Sequence, residues 1–219
     1  MNKFYKVMKA IFGGLFKCLY RVKIINKEKE IFDRPFIVCG NHTSMMDGPV
    51  VTVGLKNQIR CMAKKEVFKI PLVGLFLKSM GAFPIDRKKG DIAAVRQTLD
   101  ILKDGHPIAV FPQGTRMPYV HPRDAEIKSG IGMFADRAGV GILPVCIKTK
   151  KNKVKLFRRT KFIIGDYISP EELKFEGVTG RERFQKISEY AFSKVTELYE
   201  AEEAKEKAKK EKKKAKKVK

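Results

Sequence analysis

The chain has 219 residues, of which 43% are hydrophobic, and this is enough for one domain with a buried core. Its 47 lysines and arginines exceed its 24 aspartates and glutamates by 23, which indicates an anionic partner: a membrane surface, a phosphorylated substrate or a nucleic acid. No run of about 18 apolar residues occurs, so no conventional transmembrane helix is predicted. The four cysteines, at positions 18, 39, 61 and 146, show no metal-ligand spacing and favour a reducing compartment.

The segment 1–24 predicts a basic amphipathic helix. With about 100° between successive residues, one side carries cations and the opposite side carries apolar residues. The cations are Lys3, Lys6, Lys9, Lys17 and Arg21, and the apolar residues are Phe4, Val7, Met8, Ile11, Leu15, Leu19 and Val22. Such a helix binds a membrane surface or covers the protein's own core, and we favour the membrane surface because cations and aromatic residues are both abundant. The longest uncharged run, 10–16, has seven residues, which argues against a signal peptide.

Segments typical of strands and helices alternate over residues 25–200. The expected strands cover residues 34–40, 59–63, 81–87, 106–112, 140–149 and 161–168. The expected helices cover residues 90–105, 127–139 and 179–200, and the apolar run 70–77 predicts either a core helix or a second membrane contact. Pro84 favours an edge position for its strand. This alternation predicts a single α/β domain with a mostly parallel or mixed sheet flanked by helices.

The last 19 residues, 201–219, form a lysine-rich tail. They hold ten lysines and four glutamates (10 − 4 = +6) and only one large apolar residue, Val218. Alanine, glutamate and lysine allow the tail to extend the preceding helix. Without an apolar face, however, we expect it to be frayed or disordered rather than packed.

A histidine and an aspartate stand close together in the stretch VCGNHTSMMDG, residues 38–48. His42 follows a predicted buried strand and Asp47 comes five residues later, a spacing that joins the two side chains only across a turn or a helix start. There Asp47 would accept a hydrogen bond from one ring nitrogen and leave the other nitrogen as a base. No G-x-S-x-G nucleophile elbow is present, so such a base would act on a hydroxyl group of the substrate. The structural alternative is a strand-end histidine that is satisfied by backbone groups.

Two further segments place cations after predicted strands. FPQGTR, residues 111–116, offers Gly114 for close backbone approach, the hydroxyl of Thr115, and the guanidinium of Arg116 for a phosphate group. GAFPIDR, residues 81–87, ends with Arg87. Each segment alone is more typical of an ordinary turn after a strand.

Together and in this order, the segments resemble the sequence blocks of glycerolipid acyltransferases, the lysophosphatidic acid acyltransferase family. NHTSMMDG matches the N-H-x-x-x-x-D motif, GAFPIDR is similar to the second block, FPQGTR to the F-P-E-G-T-R block, and LPV at residues 143–145 to the fourth. KSG at residues 128–130 stands where the family has a comparable run. Four blocks in order over residues 35–145 make the resemblance specific.

The resemblance implies an O-acyltransferase that moves a fatty acyl group from acyl-CoA or an acyl-carrier protein to the sn-2 hydroxyl of 1-acyl-glycerol 3-phosphate, forming phosphatidic acid. It implies that His42 is the general base and that Asp47 orients it. The residues that it assigns to the acceptor phosphate are Arg87, Arg116, Gly114 and Thr115; those with supporting roles are Asn41, Gln113 and Lys128. No metal or other cofactor is expected. The enzyme would be a peripheral or monotopic protein on the cytoplasmic face of a membrane, with an anionic membrane surface as a partner.

One position departs from the family pattern, because the glutamate of the third block is Gln113 here. Glutamine keeps a carbonyl acceptor, loses the charge and adds a donor, so the pocket around Arg116 would be more positive. The acceptor therefore stays open between lysophosphatidic acid, another lysophospholipid and glycerol 3-phosphate.

Other classes of protein also stay open at this point. A basic nucleic-acid-binding α/β module suits the charge, but the chain has no RNA-binding signature and no interleaving of basic and aromatic residues. An acyl hydrolase or a non-catalytic lipid-binding protein on the same fold is the third possibility.

Overall fold

The computed structural model describes residues 3–85 and 92–216. The domain is built around a seven-stranded mixed sheet. Its strands are β1 (Val22–Ile25), β2 (Phe36–Gly40), β3 (Arg60–Lys64), β4 (Phe83–Ile85), β5 (Ile108–Val110), β6 (Gly141–Thr149) and β7 (Thr160–Ile164). They lie in the order β1-β7-β6-β2-β5-β3-β4; the β6–β7 pair is antiparallel and the other neighbouring pairs are parallel. The predicted α/β class is confirmed, and Pro84 lies in the edge strand β4, as expected.

Helices cover both faces of this sheet. They are α1 (Lys3–Leu19), α2 (Asp47–Gly54), α3 (Pro71–Ser79), α4 (Ile92–Lys103), α5 (Gly130–Ala138) and α6 (Gly180–Ala215). Along β2, Phe36 and Val38 pack with α1 and α2, whereas Ile37 and Cys39 pack with α4, α5 and α6. The alternation follows from the period of two along a strand, and it gives the domain a core on each face of the sheet.

The strand directions bring several loops to one edge. Because β2 is parallel to both β5 and β6, the carboxyl ends of these three central strands lie together. Gly40 at the end of β2 pairs with Val145, so β6 runs four residues further to Thr149. The segments that follow β2 and β5, with His42 and FPQGTR, are therefore neighbours at the edge where open α/β sheets bind ligands.

Helix α1 packs on the domain through the side that carries Tyr5 and Lys9, so a predicted surface cation faces inward. Tyr5 is fully buried, and the ammonium of Lys9 donates to the carbonyls of Leu55 (2.5 Å), Lys56 (3.2 Å) and Asn57 (3.4 Å), at the end of α2. Burial lowers the pKa of Lys9 to about 8. The outward side is apolar, with Val7, Ile11, Phe12 and Leu15 exposed by 46–62% of their surface. The apolar side of α1 therefore does not cover the protein's own core.

The predicted N-terminal helix, 1–24, is longer than the observed one. Within the described residues α1 ends at Leu19, Arg21 adopts a φ of 45°, and Val22–Ile25 forms β1 beside β7. A left-handed residue stops a helix, and the valine and two isoleucines of VKII favour a strand. Val22 continued the helical spacing of the apolar side, which is why the sequence alone did not reveal the strand.

The lysine-rich tail is helical rather than disordered as far as Ala215, where α6 ends. Its first turns also pack: Glu202 is buried and accepts a hydrogen bond from Lys161 (2.5 Å), and Glu206 contacts the same ammonium. Residues 207–216 are exposed. The predicted boundary at residue 200 is therefore too early, because these carboxylates fix the start of the tail to β7.

Candidate active site

The candidate site begins at Asn41, the first residue after β2. Asn41 is buried, its amide nitrogen donates to the carbonyl of Ile147 (2.9 Å), and its Oδ1 accepts from the amide of Ile147 (2.8 Å). The side chain thus satisfies both backbone groups of β6 that a further strand residue would have paired. The main chain is then free to leave the sheet at His42.

His42 and Asp47 form a hydrogen-bonded pair at the start of α2. Nδ1 of His42 lies 2.8 Å from Oδ2 of Asp47, and the same oxygen accepts the amides of Thr43 (2.5 Å) and Ser44 (2.7 Å). Asp47 has no exposed side-chain surface, whereas that of His42 is 13% exposed. The turn between strand and helix closes the five-residue gap, as the spacing predicted.

This geometry fixes the tautomer of the imidazole. Oδ2 of Asp47 is an acceptor, so Nδ1 of His42 must carry the proton that joins them. Nε2 then holds a lone pair and is the ring nitrogen available to a substrate. The pair can accept a proton at Nε2, and the buried carboxylate would stabilise the resulting imidazolium.

The segment after β5 holds His42 from the other side. Oε1 of Gln113, a buried residue, accepts from the amide of His42, and the amide of Met117 donates to the His42 carbonyl (2.8 Å). The ring of Phe111 is stacked on the imidazole, with centroids 4.4 Å apart and planes 14° apart. Both backbone groups and one face of His42 are therefore fixed by a segment about 70 positions away in sequence.

The sequence did not predict a role for Phe111 or for the backbone amides of Thr43 and Ser44. Phe111 opens the FPQGTR block, but a contact with His42 requires β2 and β5 to be neighbours, which periodicity alone does not establish. The two amides carry no side-chain signature. Their only sequence signal is Asp47 itself, a residue type whose side chain commonly accepts hydrogen bonds from nearby backbone amides.

Three of the four residues assigned to the acceptor phosphate, Gly114, Thr115 and Arg116, lie on the loop that follows β5. Gly114 adopts a φ of +68°, and its amide donates to the carbonyl of Phe111 (3.1 Å), which closes a tight turn that needs glycine. Thr115 and Arg116 are exposed, and no hydrogen bond holds either side chain within residues 3–85 and 92–216. Arg87 lies outside the described residues.

Lys128 supports this turn through its backbone. Its amide donates to the carbonyl of Pro112 (2.8 Å), and its side-chain Cγ is the atom nearest to a Cβ built on Gly114, at 3.4 Å. Its ammonium pairs with Glu126 at 2.5 Å on the surface. The structure therefore places Asn41 and Gln113 next to the main chain of His42, and Gly114 and Lys128 on and beside the loop that contains Gln113.

The fold and the pair define a class of protein: an α/β domain with a histidine, hydrogen-bonded to a buried aspartate, after a central strand, and with an exposed arginine on the neighbouring loop. Within the described residues no group of three or more His, Cys, Asp or Glu is placed to hold a metal ion. No helix of residues 3–85 and 92–216 has both the length and the apolar character to span a bilayer.

Comparison with known proteins identifies the family. The model of the acyltransferase family matches residues 21–148, more than half of the chain. The chain is 30% identical over 198 residues to a 1-acyl-sn-glycerol-3-phosphate acyltransferase of Bacillus subtilis, covering 88% of this chain and 92% of that protein. The enzyme of that name from Helicobacter pylori is 26% identical over 189 residues, with 77% and 74% covered. This chain therefore belongs to the acyltransferase family.

A solved structure agrees with this assignment. The crystal structure of the 1-acyl-sn-glycerophosphate (LPA) acyltransferase from Thermotoga maritima matches with a TM-score of 0.66 and 29% identity. The match covers 89% of this chain and 79% of the Thermotoga chain. The common fold thus includes nearly all of the present chain.

Proposed function

We propose that this acyltransferase transfers a fatty acyl group from a thioester donor to the sn-2 hydroxyl of 1-acyl-glycerol 3-phosphate, forming phosphatidic acid. The donor is acyl-CoA or an acyl-carrier protein. The names of the relatives support the acceptor. The observation that carries the chemistry is the hydrogen bond from His42 to the fully buried Asp47, which leaves Nε2 of His42 as the base.

The proposed reaction is a direct transfer without an acyl-enzyme. Nε2 of His42 takes the proton of the acceptor hydroxyl as its oxygen attacks the thioester carbonyl carbon. The carbon–sulfur bond then breaks, the acyl group remains on the acceptor oxygen, and the imidazolium returns its proton to the leaving thiolate. Because a thioester is already activated, orientation of the two substrates and one general base are sufficient for the reaction. Stacking on Phe111 and the two backbone hydrogen bonds keep the imidazole in place for both proton transfers.

Arg116 is proposed to bind the phosphate of the acceptor, together with Arg87. Arg116→Ala should raise the KM for the phosphorylated acceptor about 10- to 100-fold, because a hydrogen bond to a charged group contributes about 1.5–3 kcal/mol. The KM for the acyl donor should change much less. Arg181→Ala, at an exposed arginine in the first turn of α6, is the matched control. Equal increases in both KM values would contradict the assignment.

The experiment that tests the function is a thiol-release assay with paired donors. Acyl-CoA and acyl-carrier protein are each supplied with lysophosphatidic acid, another lysophospholipid, glycerol 3-phosphate, or no acceptor. We expect thiol release only with an acceptor, and most with lysophosphatidic acid. Release at the same rate without an acceptor would indicate a hydrolase, and a preference for another acceptor would correct the substrate.

We also propose that the protein binds the cytoplasmic face of a membrane through an outer surface formed by α1 and α3. Ile11 and Leu15 on α1 are exposed by 62% and 57%, and Leu75 on α3 by 67%. Phe12 and Phe76 contact each other with ring centroids 5.4 Å apart, which joins the two helices. An exposed apolar helical surface of this kind suits the interface of a bilayer.

Replacing Ile11 and Leu15 with glutamine should weaken vesicle binding about 100-fold. Each side chain contributes about 1.5 kcal/mol on burial, and about 1.4 kcal/mol corresponds to a tenfold change. Cosedimentation with phosphatidylcholine vesicles measures the effect. Ile92→Gln, on the other face of the sheet and 80% exposed, is the control and should bind like the parent protein. Unchanged binding of the Ile11/Leu15 variant would place the membrane contact elsewhere.

A further inference from the structure

A depression of about 400 Å³ lies between α1 and α2, away from the His42–Asp47 pair. Small residues of α1 line its floor, and lysines of α1 and the lysine that follows α2 surround it. The small residues are Ala10, Gly13 and Gly14, and the surrounding lysines include Lys6, Lys17 and Lys56. A Cβ built on Gly14 would meet no atom within 4 Å, so this part of the depression is open.

Three of the lysines around the depression have no ion-pair partner among the described residues. Within the described part of the chain, no carboxylate forms an ion pair with Lys6, Lys17 or Lys56; Lys56 lies only near the ring of Phe32, at 5.9 Å. Burial and the nearby Lys27 lower the pKa of Lys17, as expected for an ammonium without a partner.

The neighbouring carboxylate and the buried lysine are both already engaged. Oε1 of Glu30 accepts the backbone amides of Lys56 (2.6 Å) and Asn57 (2.9 Å). The ammonium of Lys9 is fixed on the carbonyl groups that end α2. The residues that line the depression include four lysines and no carboxylate, so it keeps a net positive potential that a mobile anion can satisfy.

The position of the depression on α1 relates it to the proposed membrane surface. Lys6, Ala10, Gly14 and Lys17 lie along one flank of the helix, next to the exposed apolar side that carries Ile11. When that apolar side enters a bilayer interface, the flank lies at the level of the lipid headgroups. From Lys6 to Lys17 the flank is about 16 Å long, which is room for more than a single inorganic ion.

We propose that this depression binds the phosphate-containing headgroup of an anionic phospholipid. The proposal rests on the membrane contact proposed for α1 and not on acyl transfer. The glycine floor lets a phosphate approach the backbone of α1 closely, and the ammonium groups attract it as mobile point charges. The site would fix the orientation of α1, and so of the domain, on anionic membranes.

Binding to phosphatidylcholine vesicles with and without phosphatidylglycerol tests this proposal. For the Lys6→Gln/Lys17→Gln variant we expect binding to the anionic vesicles to fall by a factor on the order of 25, at about fivefold for each lysine near the surface. Binding to pure phosphatidylcholine should not change. The Lys103→Gln/Lys186→Gln variant removes two exposed lysines from the opposite helical layer and should keep most of the preference. An equal loss in both variants would overturn the site in favour of general electrostatic attraction.

Two further experiments distinguish a defined binding site from general electrostatic attraction. Gly14→Gln fills the depression without changing any charge, and it should reduce the preference for anionic vesicles while circular dichroism and the melting temperature show a folded protein. Full preference in this variant would overturn the proposal. Glycerol 3-phosphate or inorganic phosphate, added at constant ionic strength, should not displace the protein from vesicles. Displacement by either would reassign the site to soluble phosphates. Because these assays measure binding only, a failure of the proposed acyl transfer would not change them.

Discussion

Replacing His42 with alanine should lower kcat for acyl transfer by about 10²- to 10⁴-fold, the range of a general base. The fold should survive, because the contacts of His42 with Gln113 and Met117 use its backbone groups, which alanine retains. KM for both substrates should stay within a small factor, since the imidazole is proposed to act on the hydroxyl proton rather than to bind either substrate. Steady-state kinetics of thiol release measure all three constants.

A second histidine provides the control for this prediction. His106 is exposed at the opposite edge of the sheet, just before β5, and His106→Ala should transfer acyl groups like the parent enzyme. Both variants should show the parental circular dichroism spectrum. Transfer by the His42 variant at more than a third of the parental rate would rule out the proposed base.

Much of the local chemistry could be predicted from sequence because the groups involved are close along the chain. The pair of His42 and Asp47 needed only a strand end, a turn and a helix start within a few residues, and these elements have clear signals. The helix before Gly105 and the edge strand at Pro84 depend on the same local rules. Each of these features follows from backbone preferences of single residues.

The features that the sequence did not reveal depend on which strands are neighbours. The contact between Gln113 and His42 requires β5 beside β2, and the strand β1 needs β7 as a partner before Val22–Ile25 can leave the helical pattern. The periodicity of hydrophobic residues does not establish the order of the strands in the sheet, because every buried strand shows the same pattern. The direction in which α1 faces is also a tertiary property, since Lys9 finds acceptors only at the end of α2.

The contact of Gln113 explains how glutamine fits where the family pattern has glutamate. The group that His42 uses is a side-chain oxygen that accepts its backbone N–H, and both residues supply one. The departure therefore leaves the support of His42 intact and acts on the charge near Arg116. We therefore expect glutamine at position 113 to change the preference for the acceptor substrate and not the proposed role of His42.

Replacing Asp47 should have two separable effects, because this residue orients His42 and also satisfies the turn. Asp47→Asn can still accept from the amides of Thr43 and Ser44 through its Oδ1, so the fold should be kept. The imidazolium would lose its negative partner, and we expect kcat to fall by about 10²-fold or more, as for other triad-like pairs. Asp47→Ala removes the acceptor of four donors, His42 Nδ1, the Thr43 amide and hydroxyl, and the Ser44 amide, which should lower the free energy of unfolding by about 3 kcal/mol or more. Urea denaturation and thiol-release kinetics separate the two effects.

A double variant shows whether Asp47 acts through His42. If it is a positioning residue, the His42→Ala/Asp47→Asn variant should be no less active than His42→Ala alone, because the carboxylate has nothing left to orient. Multiplication of the two losses would mean that Asp47 contacts the reacting groups independently. That result would conflict with its complete burial behind the Nδ1 side of the imidazole, where the acceptor hydroxyl cannot reach it.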